Sequence, residues 1–567
     1  MKSVVQISNN THYENALRNA SIRLIFCAIF LSFSFLTLTL RLLDLSFLNL
    51  DELPKIHSKD SNKKNNFRKD IIDRNGVLIA SSIPTASVFF DTKHIINAEN
   101  TARQLSNISY INYDKIVDKL NSGKSFTWFK RHISPSEQQR IHDLGMPGIH
   151  FVKDYKRVYP HNNLFSHIIG LADIDGKGIS GIERSFDEYL LDENSDNETL
   201  QLSIDARIQY HVKEELNNAI NLHNAIGGSA IVMDISTGEI LSLVSLPDFN
   251  PNNIKKIDPQ TMFNQITSGI YEMGSVFKPL SLAIAYDLKK ISTDDVFDVS
   301  QPLIIDRFKI TDYRGGKGGE LSVPEILMYS SNLGTAQITQ LIGIKHQREY
   351  LRKLGLLSKF SFELPETSRS IYPKESRWKE VNSITIGYGH GIAVTPIHFV
   401  RAFASILNGG ILRNPTLLKH NDVKYDEKRV FQKETSETMK KLLRLTVKGG
   451  FAGKAEVPGY LVGGKTGTAE KVVDGKYSKK LNIALCATGF PMHAPKYLVL
   501  VLIDEAKRNK INNGFTTGGM IAAPVVSNII SKIATILNIQ PKEETDPKIL
   551  QALHIDYKPR YKRLAKR

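Results

Sequence analysis

A serine and a lysine three positions apart, Ser275 and Lys278, have the types and spacing that nucleophilic catalysis requires. Pro279 follows and opens an apolar run to Tyr286, which predicts a helix that begins close to the serine, because proline is tolerated only in a helix's first turn. Residues at i and i+3 share one helix face. A lysine can accept the serine proton only if its pKa is lowered, by burial, a helix N-terminus or a second cation. The pair is therefore a candidate nucleophile and base.

This pattern is weak by itself, because Ser-x-x-Lys arises by chance in a chain of ordinary composition. Ser61 and Lys64 form such a pair in a polar stretch with no helical pattern. Two further segments strengthen the hypothesis. In the first, Ser330 offers a hydroxyl that could relay a proton, and Asn332 offers a carboxamide that could bind a substrate amide.

The second segment, Lys465–Thr468, follows an apolar run at Tyr460–Val462 that we predict to be a strand. An edge strand offers its backbone N–H and C=O groups to an extended peptide. In this segment Lys465 supplies a cation, and Thr466 and Thr468 supply hydroxyls for a carboxylate. Gly467 lets a ligand approach the backbone closely.

The same segment also satisfies the phosphate-loop pattern G-x-x-x-x-G-K-[ST], from Gly459 to Thr466. That pattern requires a strand before the first glycine and a helix after the threonine. Here strand-like residues fill the supposed loop, and Asp474-Gly475 marks a turn after it. We therefore favour peptide binding over an NTPase.

Taken in order, the three motifs resemble those of the penicillin-interacting serine transpeptidases. Ser331 occupies the middle of the second motif, as in many penicillin-binding proteins. Asp73–Gly76 and Gly181–Tyr189 resemble the N-terminal pedestal of class B penicillin-binding proteins, and Ile386–Pro396 resembles a loop beside their active site. The resemblance covers residues 20–535, and the layout is most similar to that of the division-specific peptidoglycan D,D-transpeptidases.

The resemblance implies a two-step acyl transfer at a D-Ala-D-Ala stem peptide, with no metal or cofactor. Ser275 would be the nucleophile and the residue that penicillin acylates, and Lys278 would be its base. The resemblance assigns the remaining catalytic roles to Ser330, Asn332 and Lys465, and carboxylate binding to Thr466, Gly467 and Thr468. The backbone N–H groups of Ser275 and Thr468 would form the oxyanion hole.

The elements that must hold these motifs show hairpin signals with helices around them. Ser229–Asp234 and Glu239–Val244 are strand-like runs joined by a Ser-Thr-Gly turn, and Asn482–Ala487 and Tyr497–Ile503 are further strand-like runs. A helical run, Met520–Leu537, follows. The pattern predicts an α+β domain with an antiparallel sheet. The resemblance implies the penicillin-binding transpeptidase fold, preceded by an elongated pedestal.

An uncharged apolar run from Leu24 to Leu40 predicts one membrane-spanning helix. No small-residue cleavage site follows it, so we expect a retained anchor. Positively charged residues lie on both sides of this run, so their distribution gives little information on orientation. The default orientation has the short N-terminal tail inside the cell and the long C-terminal part outside the membrane. The predicted order is cytoplasmic tail, anchor, linker, pedestal (dimerisation) domain, transpeptidase domain and basic tail: residues 1–23, 24–43, 44–66, 67–205, 206–540 and 541–567.

Composition and charge exclude several other classes of protein. The chain has 567 residues, with 41% apolar and 23% charged side chains, which is an ordinary globular balance. Its net charge of +16 is concentrated partly in the last ten residues, and the rest is spread without interleaved aromatic residues. We expect no nucleic-acid partner. With only two cysteines, a disulfide scaffold and a cysteine-based zinc site are excluded.

Three alternatives remain open at this stage: an elongation-type transpeptidase, a β-lactamase or β-lactam sensor on the same fold, and a silent scaffold. The preferred interpretation is septal wall synthesis in the bacterial inner membrane, with the catalytic domain on the periplasmic side. Its expected partners are stem peptides, β-lactam antibiotics, a membrane glycan polymerase and other division proteins.

Overall fold

The computed structural model describes residues 3–43, 67–192, 199–313, 316–359, 361–419, 428–473 and 476–560. They divide into two units, residues 1–65 and 66–567, which are described separately. The first unit contains helix α1 (Ser3–Leu43), whose part Arg18–Arg41 is long and apolar enough to cross a membrane. The predicted anchor lies in this helix. The predicted linker at 44–66 lies outside the described residues, and the domain limits stay predictions.

The second unit opens with a sheet built around one long strand. The strands of this region are β1 (Asp70–Ile72), β2 (Leu78–Asp91), β3 (Phe126–Ile133), β4 (Ile149–Val158), β5 (Leu171–Ala172), β6 (Gly178–Ser180) and β7 (Thr199–Gln201). Strand β2 pairs antiparallel with β1, β3 and β4, while β1 runs parallel to β7. An Asn75-Gly76 turn joins β1 and β2: Asp73 Oδ1 accepts hydrogen bonds from the N–H groups of Asn75 and Val77, and Gly76 has φ +88°.

Six short helices accompany this sheet: α2 (Ala98–Ser109), α3 (Tyr113–Leu120), α4 (Pro135–His142), α5 (Ser166–Ile169), α6 (Gly181–Ser185) and α7 (Asp187–Leu191). Helices α2 and α3 bury apolar side chains against β2 and β3 in a core of their own, around Phe90 and Leu105. Outside this core, a buried network of ion pairs connects residues that are far apart in the sequence. The guanidinium of Arg68, which is fully buried, donates to Glu183 Oε2 at 2.8 Å, and Arg157 donates to Glu183 Oε1 at 2.7 Å.

The centre of the second unit is a five-stranded antiparallel sheet in the order β18-β19-β20-β8-β9. Its strands are β8 (Gly227–Asp234), β9 (Ile240–Leu246), β18 (Gly463–Val473), β19 (Lys476–Phe490) and β20 (Tyr497–Asp504). Four two-stranded ribbons surround it, formed by β10 (Tyr271–Glu272), β11 (Val296–Asp298), β12 (Leu303–Ile305), β13 (Phe308–Ile310), β14 (Glu320–Ser322), β15 (Ala393–Val394), β16 (Ile411–Leu412) and β17 (Lys428–Arg429). The α+β fold class predicted from the sequence is thereby confirmed.

Helices cover both faces of this sheet: α8 (Ala206–His223), α9 (Lys278–Asp287), α10 (Val323–Met328), α11 (Asn332–Ile342), α12 (Ile344–Lys353), α13 (Glu380–Gly387), α14 (Pro396–Ser405), α15 (Lys433–Gly449), α16 (Ala522–Ile536) and α17 (Pro547–Leu553). Helices α8 and α16 pack together on one face. Helix α9 lies in the core of the other face, where all its residues from Lys278 to Ala285 are buried, which explains its apolar sequence on every side.

The prediction of a strand at Tyr460–Val462 was wrong. Leu461 has φ +48°, and its carbonyl oxygen accepts the N–H of Met492, while the carbonyl oxygen of Val462 accepts a bond from the guanidinium of Arg444. The backbone of this run is therefore engaged outside the sheet. The strand begins one residue later, at Gly463, so that Lys465–Thr468 lies inside β18 and not after a strand.

Residues 547–560, which lie in the predicted basic tail, contact the rest of the second unit at several points. Ile549 in α17 is buried, and Leu553 and Ile555 pack against the main core. Farther along, the N–H of Arg560 donates to both carboxylate oxygens of Glu325, at 3.0 and 3.1 Å. This C-terminal segment, residues 547–560, is therefore docked on the catalytic unit, and residues 561–567 lie outside the described part of the chain.

Candidate active site

Ser275 lies on a tight turn that leads into a buried helix. Residues Gly274–Phe277 form a 3-10 turn, and α9 continues from Lys278. With three residues per turn, a 3-10 segment aligns residues i and i+3, so that Ser275 and Lys278 lie on one side as the sequence predicted. Gly274 has φ +53°, and a Cβ there would come within 2.8 Å of the carbonyl oxygen of Thr468. A larger residue would push this turn, which we call the serine turn, away from β18.

Lys278 is completely buried, and its amine lies among the polar atoms of the second motif. Its Nζ donates to the carbonyl oxygen of Ser330 at 2.5 Å, to Asn332 Oδ1 at 2.8 Å and to Ser330 Oγ at 3.2 Å. Burial, and then the positive charge of Lys465, hold the pKa of Lys278 well below its usual range, whereas the carboxylate of Asp312 acts in the opposite direction. A lysine in this position can be a neutral amine, as a base must be.

The second motif is held by a buried carboxylate that the sequence did not single out. Asp312 accepts hydrogen bonds from the hydroxyl of Ser331 at 2.8 Å and from the backbone N–H groups of Asn332 at 2.5 Å and Leu333 at 2.9 Å. These bonds complete the N-terminus of α11, which Ser331 caps. Just before it, Ser330 has φ +59°, a left-handed conformation that few non-glycine residues adopt and that surrounding contacts must maintain.

The side chain of Asn332 is engaged within the protein. Its Oδ1 accepts from Lys278, and its Nδ2 donates to the carbonyl oxygen of Thr311 at 3.2 Å. The predicted contact with a substrate amide stays a prediction. What the structure assigns to Asn332 is the orientation of the lysine amine.

The third motif lies on the edge strand β18, as the peptide-binding interpretation required. Lys465 is buried, and its Nζ donates to the carbonyl oxygen of Thr466 at 2.8 Å. Burial lowers the pKa of Lys465 to about 7. The hydroxyl of Thr468 accepts the N–H of Gly518 at 3.1 Å. The phosphate-loop alternative was wrong, because these residues continue as a strand paired with β19 and no helix follows the threonine within residues 466–473.

Gly467 serves the packing of the protein itself, whereas the sequence suggested room for a ligand. A Cβ on this residue would come within 3.0 Å of Met273 O and of the backbone N and Cγ1 of Val276. A Cβ on Gly518 would in turn meet the carbonyl oxygen of Gly467 at 2.3 Å. The edge strand and the serine turn are therefore in direct contact, which brings the backbones of Ser275 and Thr468, the predicted oxyanion-hole residues, into one region.

A cluster beside the serine turn was also not found from the sequence. Glu272 Oε1 accepts the N–H of Gly391 at 2.7 Å and the hydroxyl of Tyr477 at 2.9 Å. The His390 ring lies between Tyr388 and Tyr477, with ring centroids 5.5 and 6.1 Å away. The resemblance placed Ile386–Pro396 beside the active site, but nothing in the sequence indicated that Glu272, three residues before the nucleophile, is bonded to that loop.

The assembled site favours acyl transfer through a serine ester. It contains one hydroxyl on a helix-opening turn, a buried amine aimed at a second hydroxyl, and a buried cation on an edge strand. Among the described residues, no three His, Cys, Asp or Glu side chains come together as metal ligands. The residues predicted for the site are thus brought together around the serine turn and β18.

Comparison with known proteins agrees with this architecture. The sequence matches the penicillin binding protein transpeptidase domain over residues 228–531 and the penicillin-binding protein dimerisation domain over residues 63–199. It is 33% identical to the probable peptidoglycan D,D-transpeptidase FtsI of Caulobacter vibrioides, over 84% of this chain and 82% of that one. It is 29% identical to the peptidoglycan D,D-transpeptidase FtsI of Escherichia coli K12, over 83% of this chain and 84% of that one.

Solved structures show the same fold. The crystal structure of penicillin binding protein 3 from Mycobacterium tuberculosis, in complex with aztreonam, superposes with a TM-score of 0.67 at 23% identity, covering 84% of this chain and 97% of that one. A peptidoglycan synthetase from Bifidobacterium adolescentis gives 0.66 at 20% identity, covering 85% and 97%. The chain therefore belongs to the class B penicillin-binding proteins and is similar to their division-specific FtsI transpeptidases.

Proposed function

We propose that this protein is a peptidoglycan D,D-transpeptidase that cross-links stem peptides in the septal wall and is acylated by β-lactams. The observation that carries the proposal is the buried Lys278 amine, with Ser330 Oγ at 3.2 Å and Asn332 Oδ1 at 2.8 Å, at the start of the helix that follows Ser275. The FtsI relatives named above are described as a probable peptidoglycan D,D-transpeptidase and a peptidoglycan D,D-transpeptidase, and the intact motif set supports the same chemistry here.

In the first step, the neutral amine of Lys278 accepts the proton of the Ser275 hydroxyl as Oγ attacks the carbonyl carbon of the penultimate D-Ala. The backbone N–H groups of Ser275 and Thr468 stabilise the oxyanion, and one such donor is worth about 10²–10³ in rate. The tetrahedral intermediate collapses to a serine ester and expels the terminal D-Ala. Its nitrogen receives a proton that Lys278 delivers through the hydroxyl of Ser330.

In the second step, an amine of a neighbouring stem attacks the ester carbon, and its surplus proton passes to Lys278. Collapse of the second intermediate returns a proton to Ser275 Oγ and leaves a new amide bond between the stems. The Lys465 ammonium and the hydroxyls of Thr466 and Thr468 bind the terminal carboxylate of the donor. A β-lactam enters the same first step, but its leaving group stays tethered, so that the acyl-enzyme persists.

The cellular setting is proposed on the same basis. We place the catalytic unit on the periplasmic side of the inner membrane, tethered by the apolar helix, because the stem peptides are there. A membrane glycan polymerase and other division proteins are the expected partners. Protease added to spheroplasts should then digest the catalytic unit without lysis. Protection of that unit would contradict this orientation.

Labelling of the full-length protein with a fluorescent penicillin tests the activity. The wild type should be labelled, whereas Ser275→Ala and Lys278→Ala should lose the label. Ser61→Ala is the matched control, from the Ser-x-x-Lys pair in the polar stretch, and should label normally. Label retained in Ser275→Ala would refute the assignment. An acyl-enzyme that turns over within minutes would indicate a β-lactamase, and rounding on depletion, in place of filamentation, would indicate elongation.

A further inference from the structure

Glu272 is a carboxylate that neither catalytic step above uses, although it lies three residues before the nucleophile. It belongs to β10, which pairs with β15, and its Oε1 accepts bonds from Gly391 and Tyr477. Its second oxygen, Oε2, is covered and accepts no hydrogen bond from the described residues. Because a buried carboxylate oxygen without a donor is costly, such an atom calls for a functional explanation.

Aromatic rings surround this carboxylate. The rings of Tyr388, His390 and Tyr477 follow one another with centroids 5.5 and 6.1 Å apart, and the first two are only partly buried. Burial, and then the negative charge of Glu272, raise the pKa of Tyr388 to about 12. Tyr477 is half exposed, and its hydroxyl donates to Oε1. A ligand that displaced this hydroxyl would gain access to the carboxylate.

The cluster also borders the reacting groups. The N–H of Gly274, in the serine turn, donates to the carbonyl oxygen of Gly389 at 3.1 Å, so the loop that carries Tyr388 and His390 is bonded to the turn that carries the nucleophile. The positive charge of Lys278 acts on the His390 ring, as does the negative charge of Glu272. A ligand bound here would therefore lie next to the ester.

One carboxylate among electron-rich rings is the arrangement that recognises a primary ammonium group, through an ion pair, N–H bonds to oxygen and cation–π contacts. The proposed reaction has such a substrate, because the amine of the second stem arrives from neutral solution as an ammonium ion, which releases one proton to solvent before the neutral amine attacks the ester. From this geometry we infer that Glu272, with Tyr388, His390 and Tyr477, forms a subsite that receives the primary ammonium of a stem peptide beside Ser275. This inference rests on the proposed function and specifies its amine-binding side.

The decisive variant is Glu272→Gln, because glutamine retains an oxygen for Gly391 and Tyr477 and removes only the charge. Acyl-enzyme is formed on the full-length protein from an amine-free thioester donor, and transfer to glycinamide is measured against hydrolysis. We expect the ratio of aminolysis to hydrolysis to fall at least tenfold. Glu366→Gln is the matched control, since Glu366 is a partly buried carboxylate that accepts the N–H of Gly181, and should leave the ratio within about twofold.

Both the donor stem and the acceptor stem carry amines, so a second experiment determines which of the two amines the subsite binds. Acylation is compared for a Lys-D-Ala-D-Ala peptide with a free and with an acetylated side-chain amine. If Glu272→Gln reduces acylation by the free-amine donor alone, the subsite serves the donor, and the ammonium assignment stands. If it reduces acylation by both donors and by penicillin equally, the carboxylate only maintains the serine turn, and the inference is overturned. An unchanged ratio in both arms also overturns it.

A measurement on the wild type covers the case in which the variant does not fold. Choline should compete with glycinamide for the acyl-enzyme, and its neutral isostere 3,3-dimethylbutan-1-ol should not. Equal effects of the two compounds would overturn the inference. Because penicillin labelling of Ser275 is followed in the same samples, failure of this subsite is distinguishable from failure of the proposed transpeptidase activity.

Discussion

Replacement of Lys465 by methionine is expected to stabilise the protein while it removes the cation of the third motif. Burial lowers the pKa of this lysine from 10.5 to about 7. Between these two pH values the unfolded chain keeps the proton that the folded chain releases, so the free energy of unfolding rises with pH across this window. The cost of burying the lysine is therefore fully present at and below pH 7 and has vanished near pH 10.5.

A lowering of that size corresponds to roughly 5 kcal/mol, at about 1.36 kcal/mol per pKa unit. Methionine has a similar length and no charge, but it loses the 2.8 Å bond to the carbonyl oxygen of Thr466. A buried acceptor left without its donor costs about 1–3 kcal/mol. We therefore expect Lys465→Met to raise the free energy of unfolding at pH 7 by about 2–4 kcal/mol.

Denaturant unfolding of the full-length protein in detergent, followed by fluorescence at pH 7 and pH 9.5, measures this difference. The gain should shrink at pH 9.5, and acylation by penicillin should fall tenfold or more. Lys510→Met, at an exposed lysine, should change stability by less than about 0.5 kcal/mol at either pH. If Lys465→Met is no more stable than the wild type at pH 7, the lysine is not held against a desolvation cost, and the reasoning is refuted.

Three further predictions concern contacts around and below the site. Asp312→Asn removes a negative charge that raises the pKa of Lys278, so the acid limb of the pH profile of penicillin acylation should move to lower pH. The rate of acylation should fall about tenfold, and an acid limb that stays in place would contradict this role of Asp312. Gly467→Ala should slow acylation roughly tenfold or more, because its Cβ would meet Val276 in the serine turn at 3.0 Å and such overpacking costs about 1–3 kcal/mol. Unchanged acylation kinetics in stopped-flow measurements would show that the serine turn can shift freely. Arg68→Met should lower the free energy of unfolding by about 3–5 kcal/mol in denaturant unfolding experiments, because Glu183 would be left as a buried charge with one partner fewer. A loss of less than about 1 kcal/mol would contradict this role of Arg68.

The parts of the site that follow local rules could be predicted from the sequence. Ser275 and Lys278 are three residues apart on one turn, and a proline marks where their helix begins, so their relation needs no knowledge of the rest of the chain. Lys465–Thr468 could be associated with a strand from its apolar neighbours, although the predicted strand ended before these residues and β18 in fact contains them. The Asn75-Gly76 pair, at the turn between β1 and β2, is a hairpin signal that the sequence alone displays.

The parts that depend on distant contacts could not be predicted in this way. Asp312 meets the second motif only after the ribbon β12–β13 and helix α10 are in place, and no spacing encodes that approach. The start of β18 was misplaced because a left-handed Leu461 engages the preceding backbone elsewhere. The C-terminal segment likewise packs through Ile549, Leu553 and Ile555, whose contacts no local pattern indicates.

The docked C-terminal segment limits where the protein can be truncated or fused without affecting the active site. Glu325, which accepts the N–H of Arg560, also accepts bonds from Ser322 and so completes the first turn of α10. That helix ends at Met328, two residues before Ser330. Deletions or fusions that cut into residues 547–560 would therefore disturb the support of a proton-relay hydroxyl more than two hundred positions earlier. A reporter protein should be attached beyond Arg560, through a spacer.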